Sequence, residues 1–303
     1  IEKEKKVILE EIKMVEDTPD DLVHEIFAEG FWSGHPLGRP ILGTPATVNA
    51  LSRDTIVRYF KNTYVAANFV VVAVGNLEHG HVQGLLEKAL AHIPHSGPDA
   101  EHTAPVTAST IQIRKKELEQ SHVVFGTPAL PQHHPERYAG YALNTTLGGS
   151  MSSRLFQNVR EKRGLAYSVF SGLSSYQDAG ALSIYAGCGN DSVAELIDVV
   201  VAELRQMKLG GLDAIELRRA KDHLKGSLML GLESTSSRMS HLARQEMYRD
   251  RTDGLDEMLA AIERVSAEDV LKLADRFFAT GALAVTVLGA VNGLQVNQEQ
   301  LAL

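Results

Sequence analysis

Two glutamates near the start of the chain have the type and spacing to act together. Glu4 and Glu11 lie in the helical pattern EKEKKVILEEIKMVED, and a spacing of seven residues puts them on nearly one helix face, about 10 Å apart along the axis. The neighbours of Glu11 on that side are apolar: Val7, Ile8, Ile12 and Val15. A carboxylate there is costly unless it binds a cation or a hydrogen-bond donor. The alternative, which the pattern alone favours, is a solvated face with i,i+4 ion pairs.

A second pair of residues that could take part in chemistry is Arg160 and Tyr167, in SSRLFQNVREKRGLAYSV. The pattern predicts a helix over 152–163 that is capped by Ser152 or Ser153 and ended by Gly164, with Tyr167 at the start of the next strand. A helix end and a strand start can converge on one point. The alternative, again favoured by the pattern alone, makes Arg160 a solvated charge and Tyr167 an aromatic residue at the edge of the core.

The elements that must position these residues occur in an internal repeat. The segment LSRDTIVRYFKNTYVAANFVVVAVGNL from Leu51 aligns without gaps with VSAEDVLKLADRFFATGALAVTVLGAV from Val265. Each copy has the pattern of a serine-capped helix, a turn and a strand that ends at glycine. The strand in the first copy, FVVVAVG, is predicted to be buried because of its length and its β-branched residues.

The order of the predicted elements indicates an α+β fold with two homologous domains, each a mainly antiparallel sheet packed against helices. The second domain is predicted over 111–303, after a Pro/Ser/Thr-rich linker at 96–110. Its predicted strands are 111–127, 165–175, 180–187 and 282–288, and its predicted helices are 135–147, 152–163, 191–208, 213–249 and 266–278. The repeat offset of 214 residues then makes 1–95 the second half of a first domain, which is expected to be incomplete in this chain.

Composition narrows the class of protein. The chain has 303 residues, 44% of them hydrophobic, and a net charge of −8 with both signs interspersed, which does not favour nucleic-acid binding. A basic peptide would be a better partner. Apolar runs are too short for a membrane span, and the single cysteine, Cys188, excludes a disulfide framework within the chain. A cytoplasmic location is the expectation, with periplasmic or organellar targeting left open.

Three segments together resemble the pitrilysin/insulinase family of zinc metallopeptidases, in the branch of the mitochondrial processing peptidase and its bacterial relatives. The segments are EKEKKVILEEIKMVEDTPDD, HPLGRPILGT and LGGSMSSRLFQNVREKRGLAYSV, of which EKRGLAYSV is the most specific. The resemblance implies two homologous halves that face each other around a chamber, which agrees with the repeat. It also implies a peptide substrate, and a homodimer or a heterodimer with a related subunit.

In that family two histidines of an inverted HxxEH motif and a downstream glutamate hold the zinc. By resemblance Glu11 is the zinc ligand, and Glu4 is the acid that supports the site from its outer shell. The resemblance thus makes Glu4 and Tyr167 the expected catalytic residues. Arg160 would hold a substrate carbonyl, and Tyr167 would also bind the substrate by donating a hydrogen bond to its oxyanion. This sequence has no HxxEH motif, so the zinc site is expected to be incomplete and this chain by itself inactive.

Two other functions stay open at this point. A non-catalytic partner subunit or assembly protein would have the same fold but a degraded HxxEH motif. A peptide-binding module without chemistry would keep its affinity for peptides when Glu11 is replaced by glutamine. The leading hypothesis is a zinc endopeptidase that cleaves peptides or unfolded segments in an enclosed chamber.

Overall fold

A computed structural model describes residues 1–98, 103–249 and 252–303. One five-stranded sheet organises it, with the strand order β1-β5-β2-β4-β3. Only β1 and β5 are parallel, and the other pairs are antiparallel. The strands are β1 Ile111–Lys115, β2 Gln120–Ala129, β3 Ala166–Ser175, β4 Gly180–Gly189 and β5 Ala284–Gly289. The predicted α+β class with a mainly antiparallel sheet is confirmed.

The helices lie on both sides of this sheet and in the segment that precedes it. Those before the sheet are α1 Glu2–Glu16, α2 Pro19–Phe31, α3 Pro45–Ala50, α4 Arg53–Thr63 and α5 His79–Leu90. Those that follow β2 are α6 Arg137–Leu147, a π-helix Phe156–Glu161, α7 Val193–Gly210, α8 Ala214–Gly231, α9 Thr235–Tyr248, α10 Leu255–Arg264 and α11 Ala267–Phe277. The stretch 213–249, predicted as continuous helix, is broken between α8 and α9, and α10 was not predicted.

The main core lies between one face of the sheet and the helices α6, α7 and α11. Strand side chains alternate between faces, so Val123 and Phe125 of β2 point into this core while Val124 points to the opposite face. On the helix side, Leu143, Leu196 and Leu273 are among the fully buried residues of the same cluster. This packing explains why the predicted strands 165–175 and 180–187 and the predicted helices 135–147 and 191–208 agree with the structure, whereas the predicted helix 152–163 is mostly the π-helix Phe156–Glu161.

The opposite face of the sheet is covered by α2, which precedes the predicted linker. Its residues Leu22, Val23, Phe27 and Phe31 form a second core with Val124, Ala181, Ala284 and Leu288 of the sheet. The approach is close at Gly126, where a β-carbon would lie 2.2 Å from the Phe27 ring. The division into domains at 95 and 110 therefore stays a prediction, since α2 shares a core with the strands after 110.

The repeat is confirmed for its helices but not for its first strand. Ser52 and Ser266 each accept a hydrogen bond from a backbone N–H three residues on, both at 3.1 Å. The prediction that FVVVAVG is a buried strand is wrong here, because Phe69, Val70 and Val71 are 40–52% exposed and 69–74 forms no strand. Its counterpart β5 is paired on both sides, by β1 and β2, whereas 69–74 has no strand partner within the described residues.

The cap of α11 gives a simple stability test. Ser266 and Asp269 form a reciprocal capping box at a helix whose Val270, Leu273 and Phe277 are buried. Replacing Ser266 by alanine is expected to lower the free energy of unfolding by about 1 kcal/mol, because a helix-terminal N–H loses its acceptor. Urea denaturation measures this change, with Ser240→Ala on the exposed face of α9 as control. Equal effects of the two substitutions would contradict the assignment of the cap.

Within the described residues, no helix is both long and apolar enough to cross a membrane.

Candidate functional site

Within the described residues, one side of helix α1 packs against α2 and α3, and the other side is exposed. Ile8, Ile12 and Val15 lie half-buried on the side that faces α2 and α3. Lys5 also lies on this side, and its Nζ atom donates to the carbonyl of Asn49 at 3.2 Å. At the other end of the helix, Arg114 of β1 pairs with Glu16 at 2.9 Å. The helix is therefore attached both to its neighbours and to the sheet.

Glu4 and Glu11 lie on the free face of α1, as their spacing predicts. Both are exposed, and neither has an ion pair or hydrogen bond to another described residue. Val7 and Met14 share this face and are 44% and 67% exposed. The expected cost of holding the Glu11 carboxylate among apolar side chains does not arise, because Ile8, Ile12 and Val15 turn toward neighbouring helices. The face offers two carboxylates beside exposed apolar side chains.

The donor set on α1 is not sufficient for zinc. A catalytic zinc needs three protein ligands and one open position, whereas Glu11 supplies one carboxylate. Across residues 1–98, 103–249 and 252–303, no group of three His, Cys, Asp or Glu side chains could hold a metal ion. Whether the zinc site is incomplete in this chain and whether Glu11 is a ligand both stay predictions.

The segment that carries Arg160 is a π-helix, in which the Lys162 N–H donates to the carbonyl of Gln157 at 3.0 Å. Gly164 ends it with a φ of +62°, as predicted from its left-handed preference. The predicted serine caps are wrong. Ser152 bonds only Ser150, and the buried Ser153 hydroxyl has no partner among the described residues. Instead, hydrogen bonds from the Arg154 side chain attach the start of the helix.

Polar side chains attach the π-helix and the turn before it to α7 and α8. Arg154 donates two hydrogen bonds to the Glu216 carboxylate, both 2.7 Å long, and these lower the pKa of Glu216. Asn158 donates to Glu203 at 2.6 Å. Burial raises the pKa of the Glu203 carboxyl, and the bond from Asn158 opposes that rise. Such π-helical turns often occur at functional sites, and this one is anchored immediately before Arg160.

Arg160 and Tyr167 converge, as the sequence predicted. The guanidinium carbon of Arg160 lies 4.6 Å from the centre of the Tyr167 ring and 4.9 Å from that of Phe156. Tyr167 is 78% exposed. It is the extra residue of a β-bulge, since the pairing of β3 with β4 shifts between Ala166 and Ser168. A bulge redirects a side chain, which explains how a tyrosine at a strand start reaches over the helix end.

The strand that contains Tyr167, β3, lies at the edge of the sheet. β3 pairs with β4 on one side, and no strand within the described residues pairs with its other side. An edge strand of ten residues presents unpaired backbone N–H and C=O groups to which an extended peptide can add. Sequence reasoning did not identify this edge, because strand order depends on long-range pairing.

The histidines differ in exposure. His79, His81 and His133 are exposed, and His102 lies outside the described residues. His24 is half-buried instead, because its ring stacks 5.5 Å from that of Tyr185 in the interface between α2 and the sheet. His134 is also half-buried, and its Nδ1 accepts the backbone N–H of Glu136 at 3.2 Å. Burial lowers the pKa of His24, so its imidazole is uncharged near neutral pH.

Comparison with known proteins identifies the family to which the chain belongs. A family described as Peptidase M16 inactive domain matches residues 50–224, and the chain belongs to the peptidase M16 family. The chain is 39% identical to the uncharacterized zinc protease YmxG of Bacillus subtilis, over 92% of this chain and 68% of the relative. It is 40% identical to an uncharacterized zinc protease of Streptomyces coelicolor, over 90% of this chain and 61% of that relative. The predicted family is thus confirmed.

Solved structures show the same fold. The peptidase M16 inactive domain of Pseudomonas fluorescens superposes with a TM-score of 0.89 at 20% identity, over 97% of this chain and 71% of that one. A protease of Helicobacter pylori superposes with a TM-score of 0.84 at 21% identity, over 94% and 71% of the two chains. The chain thus spans roughly two thirds of the length of the relatives it matches.

Proposed function

We propose that this chain is part of a zinc-dependent endopeptidase in which Glu11 binds the metal and Arg160 and Tyr167 bind the substrate. The observation that carries the proposal is the stacked Arg160–Tyr167 pair beside the free edge of β3. The names of the relatives, zinc proteases, support the reaction class. The remaining zinc ligands would come from residues outside this sequence. When bound, zinc would supply Lewis-acid chemistry, and Glu4 would support its ligands from further out.

The substrate-binding residues have groups free for hydrogen bonding. The hydroxyl of Tyr167 has no partner among the described residues, and the nearest carboxylate to Arg160 is that of Glu161, 3.8 Å away. Stacking occupies the faces of the Arg160 guanidinium and leaves its N–H edges available. Arg160 would hold a carbonyl oxygen of the substrate, and Tyr167 would donate to the oxygen on which charge develops.

The substrate class follows from the free edge of β3. An extended segment added to this edge would gain backbone hydrogen bonds whatever its side chains, which suits peptides or unfolded segments. The chamber would be completed by a related half or by a second subunit, as a homodimer or a heterodimer like that of a processing peptidase. The net charge of −8 favours substrates with basic residues.

A non-catalytic subunit is the second candidate. The description of the matching family as an inactive domain favours it. The two candidates differ in chemistry, so one assay separates them. The full-length protein should cleave unstructured fluorogenic peptides, lose this activity with EDTA and regain it with zinc. Peptide binding without EDTA-sensitive cleavage would favour the non-catalytic subunit and refute the peptidase.

The role of Tyr167 can be tested by removing its hydroxyl group. Tyr167→Phe in the full-length enzyme is expected to lower kcat roughly 10- to 100-fold, because a hydrogen bond to a charged oxygen is lost. The Tm should not change, since the ring is exposed and its stacking on Arg160 is kept. Tyr59→Phe, on an exposed helix, is the matched control with unchanged kcat. Unchanged kcat in Tyr167→Phe would exclude this residue from the reaction.

A further inference from the structure

A cavity of about 280 Å³ lies among the helices α6, α8, α9 and α10, and the proposed peptidase chemistry does not use it. Its lining has two different parts. One part is apolar and consists of Leu224, Leu228, Met258 and Ile262. The other part is polar and includes three arginines, three tyrosines and one histidine, but no carboxylate among the described lining residues. A cavity with this division suits a ligand that has one apolar and one anionic end.

Two of the arginines are already fixed in position. Arg137 lies over the Tyr138 ring at 4.4 Å, and it pairs with Asp253 at 3.1 Å. Arg249 pairs with the same carboxylate. Both arginine side chains are less than one fifth exposed. Because Asp253 bonds both, their guanidinium groups are held with little freedom, which reduces the entropy lost when a ligand binds.

The third arginine, Arg244, has no such partner. It lines the cavity from α9, and it forms no ion pair or hydrogen bond with any described residue. The described lining thus contains three guanidinium groups, two of which pair with the carboxylate of Asp253. The neighbouring acids Glu136, Glu257 and Asp269 line a separate cavity on the other side of Arg137. Among the described residues, the lining of the cavity between the four helices therefore carries an excess of positive charge.

The titratable groups of the cavity are consistent with this excess. Burial lowers the pKa of His241, and the charges of Arg244 and Arg249 lower it further. The imidazole is therefore uncharged near neutral pH and can accept or donate a hydrogen bond. Burial raises the pKa of Tyr141, so its phenol stays protonated and can donate. Both groups suit a ligand that brings the negative charge itself.

We propose that this cavity binds a small apolar carboxylate. Planar guanidinium groups match the two oxygens of a carboxylate, and the aliphatic part of the lining would cover an apolar body. The volume is below the ~300–1,000 Å³ typical of sites for drug-sized ligands, which limits the ligand to about one amino-acid residue. Two sources share this chemistry: the C-terminal residue of a peptide and a free organic acid.

Calorimetric titration of the full-length protein tests the proposal with three probes. These are N-acetyl-phenylalanine, its C-terminal amide, and a tetrapeptide that ends in phenylalanine with a free carboxylate. N-acetyl-phenylalanine should bind at least about tenfold more tightly than the amide, because only the acid brings a charge to Arg244. Binding of the tetrapeptide but not of the free acid would identify a peptide C-terminus as the ligand. Binding of N-acetyl-phenylalanine and of its amide with equal measurable affinity, or no binding of any probe, would overturn the proposal.

A matched pair of variants locates the binding to this cavity. Arg244→Met is expected to weaken binding of the carboxylate probe at least about tenfold, and it should leave the Tm unchanged because the side chain is exposed and unpaired among the described residues. Arg219→Met, which removes an exposed arginine of α8 outside the cavity, should bind like the unmodified protein. Equal affinities of the two variants would overturn the assignment of the site.

Discussion

Replacing Phe31 by alanine should lower the free energy of unfolding by about 3–5 kcal/mol, the usual cost of removing a large aromatic side chain from a core. Phe31 is fully buried on α2 and contacts the rings of Phe27 at 5.0 Å and Trp32 at 4.8 Å. Its cluster includes Val124 and Leu288 from the sheet. Neither strand can move to fill the space, because both are paired on two sides.

This substitution tests how α1 is held in place. The helix α1 packs on α2, and α2 packs on the sheet whose edge strand begins near Tyr167. Urea denaturation followed by circular dichroism measures the change, and Phe60→Ala is the control. Phe60 stacks on Tyr64 but is 56% exposed, so its loss should cost less than about 1 kcal/mol. A cost that small for Phe31→Ala would show that α2 is not packed on the sheet in solution.

Replacing Glu11 by glutamine should remove bound zinc and reduce peptidase activity of the full-length enzyme to background. A neutral amide is a much weaker zinc ligand than a carboxylate, and two histidines alone would hold the metal poorly. The helix itself should not change, because Glu11 is exposed and unpaired among the described residues and glutamine has a similar helix propensity.

The control for this change is one residue away. Glu10→Gln removes an equally exposed carboxylate from α1 and breaks only the 2.8 Å pair with Lys13, which contributes at most about 0.5 kcal/mol. Zinc content by elemental analysis and cleavage of a fluorogenic peptide are measured for both variants. Full zinc content in Glu11→Gln would exclude Glu11 as a ligand, and equal losses in both variants would indicate a general effect of charge.

Local signals in the sequence predicted local structure well. The caps at Ser52 and Ser266, the end of the π-helix at Gly164 and the meeting of Arg160 with Tyr167 all depend on residues close together in the chain. The predicted strand 180–187 also matches β4 closely. These features follow from hydrogen bonds and side-chain periodicity that a short window contains.

What the sequence did not predict depends on distant residues. The strand over 69–74 is absent because a strand needs partners, and no described segment pairs with it. The π-helix and the bulge at Tyr167 each insert one residue, which no side-chain pattern reveals. The packing of α2 on strands that follow the predicted linker is a contact across about a hundred residues. The site itself was predicted only in part, since the sequence indicated the pairs but not their exposure.

The most direct test of the account is a crystal structure of the full-length protein with anomalous diffraction recorded at the zinc edge. If Glu11 binds the metal, one strong peak should lie about 2.0–2.2 Å from a carboxylate oxygen of Glu11, on the free face of α1. A peak bound elsewhere, or no peak in protein purified with zinc, would contradict the assignment of Glu11 and with it the proposed peptidase.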